Sequence, residues 1–130
     1  MTSPAPGGGL SRLPPNEALS AKRCRFTSQL FLLFQRAREL GFDAALDQVK
    51  RTQVEAAANA AAGKGIKNSL HLLGLAADLL LYRNGAYLTE SESYRALGEY
   101  WETLSPDARW GGRFARPDGN HFSLEHEGVR

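Results

Sequence analysis

Ser69-Leu70-His71-Leu72-Leu73-Gly74-Leu75-Ala76-Ala77-Asp78 places one histidine and one aspartate in an otherwise apolar run. An imidazole and a carboxylate suit a borderline cation such as zinc, and a catalytic zinc commonly keeps three protein ligands and a water. Two ligands do not complete such a site. The chain offers a further histidine near its end, in Asp118-Gly119-Asn120-His121. His71 and Asp78 are seven residues apart, and on an unbroken strand such positions face opposite sides of the sheet. They meet at one metal only if the backbone bends between them. Gly74 is the position for that bend, because glycine enters conformations closed to other residues. Asp118 and His121, three apart, can converge across a turn.

Downstream, Leu75–Tyr82 is rich in Leu and Ala, which alone favours helix. Asn84-Gly85 follows, however, and Asn-Gly is a strong two-residue hairpin signal. The pattern therefore predicts strand, turn and a return strand over 86–88. Thr89 or Ser91 is expected to cap a helix running to about Leu104, with Tyr94, Leu97, Trp101 and Leu104 as its apolar stripe. Trp110-Gly111-Gly112 reads as loop or bulged strand, Pro117-Asp118-Gly119 as a turn, and 121–124 as a last short strand.

Upstream, residues 1–16 hold Pro4, Pro6, Gly7-Gly8-Gly9 and Pro14-Pro15 and read as a flexible arm before a single domain over 17–130. Residues 17–25 either begin a helix or lead into one, and their Lys22, Arg23 and Arg25 read as a solvated basic face, or as attraction to an anionic polymer. Thr27 or Ser28 is expected to cap a helix to about Leu40, with Leu30, Phe31, Phe34, Ala37 and Leu40 turned inward and Gly41 as its stop. Residues 42–52 read as a strand, though Ala44-Ala45-Leu46 also tolerates helix. Thr52 with Glu55 forms a capping box for a helix to Ala62, and Gly63-Lys64-Gly65 opens a loop into the Ser69 stretch. The class these elements imply is α+β, a small antiparallel sheet packed with helices.

A chain of 130 residues is long enough for one domain with a real core. Its apolar share of 42% and charged share of 23% are ordinary for a globular protein, and the net charge of +2 suits an anionic partner without requiring one. No nucleic-acid partner is expected, and the protein is expected to be a monomer. The single cysteine, Cys24, excludes an intramolecular disulfide framework and a cysteine-based zinc finger. No segment reads as membrane-spanning, since Leu30–Phe34 is far too short. The first fifteen residues lack the apolar core of a usual secretory signal.

Ser69-x-His71-x-x-Gly74-x-Ala76-x-Asp78, followed after about forty residues by Asp118-x-x-His121-Phe122, resembles the zinc D-alanyl-D-alanine carboxypeptidase and L-alanyl-D-glutamate endopeptidase family, which has the Hedgehog/DD-peptidase fold. Arg51-Thr52 resembles the family's Arg-containing strand end, Gly63-Lys64-Gly65 its approach to the first motif, and Trp110-Gly111-Gly112 the Trp-Gly-Gly before the second. The similarity spans roughly residues 25–125 and looks closest to small phage-type endolysins, with Asp where many members have Glu. It implies that His71, Asp78 and His121 bind Zn2+ and that Asp118 is the catalytic acid and base. It further implies that Arg51 holds a substrate carboxylate or the oxyanion, and that Ser69 orients the His71 loop. Glu55 stands where the family often has Gln, and His126 is a rival to His121 as ligand.

The implied activity is hydrolysis of peptidoglycan stem peptides, at the L-alanyl-D-glutamate bond first and at D-alanyl-D-alanine as the alternative. A non-catalytic zinc-containing module that binds the cell wall is the reading from a different class. The enzyme is expected to be made in the cytoplasm and to reach the wall after release, in the phage manner, or by another export route.

Overall fold

Phe26, Leu30, Leu33 and Ala37, buried at helical spacing, set the inner face of α1 (Leu19–Glu39). The computed structural model describes residues 9–48 and 69–130. α1 begins well before Thr27, at a position with no side-chain cap, and Thr27 lies inside it with Oγ1 donating to the Arg23 carbonyl at 3.0 Å. A hydroxyl bonded one turn back is compatible with a helix interior, so the expected cap is no start signal here. Phe31, expected in the core, is 71% exposed, and Leu33 takes the inward place. Gly41 (φ 85°) turns the chain out of the helix, as expected, into β1 (Asp43–Gln48). The expected helix over 52–62, the Gly63-Lys64-Gly65 loop, Glu55 and Arg51 lie outside the described residues.

The remaining elements are the helical turn α2 (Leu70–Leu73), β2 (Ala76–Arg83), β3 (Ala86–Tyr87), a 3-10 turn (Ser91–Tyr94), α3 (Arg95–Glu102), β4 (Ala108–Trp110), a second 3-10 turn (Gly111–Arg113) and β5 (His121–Leu124). Asn84 and Gly85 take φ of 51° and 80°, the left-handed pair a tight hairpin requires. The helix expected from Thr89 or Ser91 starts without a side-chain cap, as a 3-10 turn leading into α3. Its expected stripe of Tyr94, Leu97, Trp101 and Leu104 is fully buried.

The sheet is antiparallel, in the order β1-β2-β5-β4, with β3 also on β2. β5 pairs with Ala76–Asp78 of β2, and β3 pairs with Tyr82 and Arg83. Between those partners, the Leu79 N–H donates to the Asn120 carbonyl at 2.8 Å and the Leu81 N–H to the Tyr94 hydroxyl at 3.2 Å. The loop before β5 is thereby stitched to the middle of β2.

Alternation along the strands separates core from site. Phe122 meets Trp101 of α3 edge to face at 6.0 Å, and Trp101 meets Phe26 of α1 at 5.8 Å. Ala77, the register partner of Phe122, shares that helix-covered face. The next pair along, Asp78 and His121, therefore points to the opposite face.

Two of the three basic residues expected in solvent are instead held inside the molecule. The Arg25 guanidinium donates to both Asp107 oxygens (3.0 and 2.7 Å) and both Glu17 oxygens (2.8 and 2.9 Å). Lys22 Nζ donates to the Glu125 carbonyl at 2.6 Å and lies 3.6 Å from Asp107 Oδ2. α1 is too close to the α3–β4 connection for these cations to remain solvated, and paired burial is the outcome. Among the described residues, no helix is long and apolar enough to cross a membrane.

Candidate metal centre and active site

The Ser69 stretch is not a bent strand but a helical turn that becomes a strand. Ser69 caps α2, its Oγ accepting the His71 N–H at 3.2 Å. Gly74, with φ of 71°, ends the turn in the left-handed conformation expected of it. Arg23 of α1 steadies this corner, Nε donating to the Leu73 carbonyl at 2.6 Å. His71 thus comes from a helical turn and Asp78 from β2, and the bend at Gly74 lets both reach one point.

His121 reaches the same point from β5. His71 Nε2 lies 3.6 Å from Asp78 Oδ1, and His121 Nδ1 lies 3.3 Å from the same oxygen. The imidazole rings are 5.5 Å apart and near perpendicular. One donor atom from each of the three residues falls within 4.8 Å of the other two. Tetrahedral zinc with bonds of ~2.0–2.1 Å requires donors ~3.3 Å apart, which is the order of the two spacings about Asp78 Oδ1. His71, Asp78 and His121 are all buried, and the Nε2 edge of His121 has no hydrogen-bond partner among the described residues. Burial opposes charge on Asp78, yet hydrogen bonds from His121 and His71 outweigh it and hold the carboxyl well below its ordinary range. An ionised carboxylate facing two imidazoles is a donor set that suits a borderline divalent cation.

Asp118 is exposed at the corner before β5, and its backbone is tied on both sides. Its N–H donates to the Gly111 carbonyl at 2.9 Å, and its carbonyl accepts the His121 N–H at 3.1 Å. Trp110 Nε1 donates to the Gly119 carbonyl at 2.7 Å, and the Gly119 N–H donates to Ser91 Oγ at 2.9 Å. A Cβ at Gly111 would stand 2.1 Å from the Asp118 carbonyl oxygen, so that position admits only glycine without rearrangement. Trp110-Gly111 is therefore the cradle of the Asp118 corner, and Ser91, expected only as a helix cap, is its far brace.

His126 is not part of the cluster. Its Nδ1 lies 3.2 Å from Lys22 Nζ, at the other end of β5 from His121. Glu125 pairs with Arg109 and Arg130 at 2.9 and 2.8 Å. His121, and not His126, is the histidine that lies beside His71 and Asp78. Arg51 lies outside the described residues.

Residues 62–124 match the profile of a family described as D-alanyl-D-alanine carboxypeptidase. No curated protein matches the chain in sequence. Among solved structures, the chain is similar to the L-Ala D-Glu endopeptidase ChiX of Serratia marcescens, with a TM-score of 0.64, 18% identity, and 88% of this chain and 92% of that one covered. It is also similar to the vancomycin-resistance D,D-pentapeptidase VanY of a VanB-type cassette, solved with Zn(II), with a TM-score of 0.51, 20% identity, and 90% and 78% covered. Both likenesses concern the fold, and they bear out the expected small antiparallel sheet packed with helices. The profile match runs from the approach to the Ser69 motif through the end of β5, and its description agrees with the family that the two motifs resemble.

Proposed function

We propose that this protein is a zinc peptidase that hydrolyses the L-alanyl-D-glutamate bond of peptidoglycan stem peptides. The observation that carries the reading is the convergence of His71, Asp78 and His121 donor atoms beside the Asp118 corner. Zinc, when bound, polarises the scissile carbonyl and makes a water acidic enough to attack at neutral pH. His71, Asp78 and His121 hold the ion, and Asp78 supplies the negative charge among them. Asp118 takes the proton from the attacking water and passes it to the leaving amine. Ser69 fixes the turn that aims His71, and Arg51 meets a carboxylate of the substrate or the charge developing on the carbonyl oxygen. The likeness to ChiX, over nearly the whole of both chains, favours the L-alanyl-D-glutamate bond.

Digesting purified wall and identifying the new termini tests the bond. New amino-terminal D-glutamate is the expected product. Release of D-alanine alone would transfer the same chemistry to carboxypeptidase action. A zinc-loaded protein that binds wall and opens no bond would make it a binding module.

A further inference from the structure

Nδ1 of His121 faces Asp78, and its other ring nitrogen, Nε2, is buried with no hydrogen-bond partner among the described residues. A metal-binding histidine ordinarily donates its second N–H to a carboxylate, a carbonyl or a water, and that bond fixes how the ring is turned. Half a turn about χ2 would put Cδ2 where Nδ1 stands and leave Asp78 facing carbon. Something other than a hydrogen bond therefore has to set this ring. Phe114 lies beside the imidazole, with ring centroids 5.4 Å apart and planes tilted by 51°. That separation is within the ~4.5–7 Å of interacting ring pairs. Phe114 is itself held in place. Its N–H donates to the Gly111 carbonyl at 3.1 Å, closing the 3-10 turn Gly111–Arg113. Arg113 in turn donates to both Glu102 carboxylate oxygens at 3.1 Å. The same turn approaches His121 at Gly111, where a Cβ would stand 2.8 Å from the His121 Cβ.

We infer that Phe114 is a positioning residue for His121, its ring selecting the imidazole rotamer that turns Nδ1 toward Asp78. The inference rests on the proposed peptidase reading, in which His121 is a zinc ligand. Ordinary core packing does not account for Phe114. It belongs neither to the buried core nor to the partly buried apolar side chains packed against that core. It is partly exposed, whereas the imidazole it touches is buried. Its contact is thus with a candidate metal donor and not with the sheet–helix interior. A hydrogen bond to Nε2 would restrain the ring through one atom, and a neighbouring ring restrains it through its bulk. Phe114 supplies in this way the orientation that an outer hydrogen bond supplies to other metal-binding histidines.

The test combines imidazole 15N–1H spectra of the zinc-free full chain, which has three histidines, with zinc affinity measured against a competing chelator. Phe114→Ala is expected to shift or broaden the His121 ring signals while those of His126, at the other end of β5, hold. Its zinc dissociation constant should rise roughly tenfold, the lower end of what losing an orienting partner costs. Phe114→Tyr keeps the ring and should recover most of that loss. Phe114→Leu keeps apolar bulk without the ring and should behave as Phe114→Ala does, and it serves in its place if the alanine variant does not fold. Melting of the zinc-free proteins monitors the fold. His121 signals or zinc affinity unmoved by the loss of the ring overturn the inference. So does an equal loss of affinity in all three variants, which would make Phe114 a packing residue only. A wild type that takes up no zinc strikes instead at the proposed activity, and the His121 signals then decide the positioning role by themselves.

Discussion

Asp78 and His121 are register partners on neighbouring antiparallel strands, and their side chains meet at 3.3 Å on the face of the sheet away from the helices. Direct cross-strand partners on one face hold their Cβ atoms ~4.5–5.5 Å apart without help from any loop. Two of the three candidate metal donors are thus set by sheet register. The third, His71, depends on the turn that Ser69 opens and Gly74 closes. A one-residue slip of β5 would send His121 into the helix-covered face and bring Phe122 out, so the core protects the site geometry.

The first expectation is one zinc per chain by elemental analysis, lost in steps that follow the ligand set. His121→Ala should weaken zinc binding by at least roughly tenfold and lower the melting temperature of the loaded protein, since metal binding and stability are linked. His126→Ala should keep its zinc, because that side chain faces Lys22. Zinc lost from His126→Ala and kept by His121→Ala would reverse the assignment.

Asp118→Ala separates chemistry from metal binding. Zinc content and melting temperature should hold while wall lysis falls by ~100- to 10,000-fold, the usual worth of a general base. If lysis survives, the proton acceptor is another group.

Ser91→Ala tests the brace behind that corner. It removes the acceptor for the Gly119 N–H, a loss of about 0.5–1.5 kcal/mol in stability. Small misplacements of a catalytic group cost rate, so kcat should fall by roughly three- to tenfold with zinc retained. Ser91→Thr, which keeps the hydroxyl, should recover most of it. Equal kcat in wild type and Ser91→Ala would limit Ser91 to a structural part.

The candidate site was more legible in the sequence than the packing around it. The Ser69 and Asp118 motifs carry their chemistry in residue types and spacing, and the Asn84-Gly85 hairpin and Gly74 bend carry theirs in backbone preference. The inward face of α1 was half legible. Leu30 and Ala37 are buried, but Phe31 and Leu33 are both apolar and composition cannot say which turns in. The paired states of Lys22 and Arg25 were not legible at all. Glu17 is close to Arg25 in the chain, but Asp107 and Glu125 lie some eighty to a hundred residues away, and only the closed fold brings them in. The role of Ser91 was hidden for the same reason, since a serine before a helix has a local reading that its distant bond to Gly119 overrides.

Truncation of residues 1–16 measures how far the start of the chain belongs to the domain. Its Pro- and Gly-rich composition predicts a dispensable arm, yet the Leu10 N–H donates to the Leu104 carbonyl at 2.7 Å. Losing that bond should lower the melting temperature by about 3–6 °C and leave wall lysis intact, as neither Leu10 nor Leu104 belongs to the His71, Asp78 and His121 cluster. A much larger drop would make the segment an integral part of the fold.

Asp107→Asn probes the ion network that ties α1 to the α3–β4 connection. Burial alone would raise the Asp107 carboxyl, but hydrogen bonds from Arg25 and Ser105 and the charges of Arg25 and Lys22 outweigh it and hold it below its ordinary value. A carboxyl depressed in the folded state adds stability above its unfolded pKa of ~3.9, and that contribution disappears as pH falls through the lower folded value. At neutral pH the substitution should cost about 1–3 kcal/mol, since Arg25 keeps Glu17 but loses a paired charge on a buried guanidinium. Below pH ~4 the wild type surrenders this contribution and the variant has none to lose, so their stabilities should converge. Urea denaturation of zinc-free protein from pH 7 down to pH 2 checks both statements without involving the metal. A gap between wild type and Asp107→Asn that stays constant through that range would mean the Asp107 charge contributes nothing, and that its role in the network is that of a neutral hydrogen-bonding group.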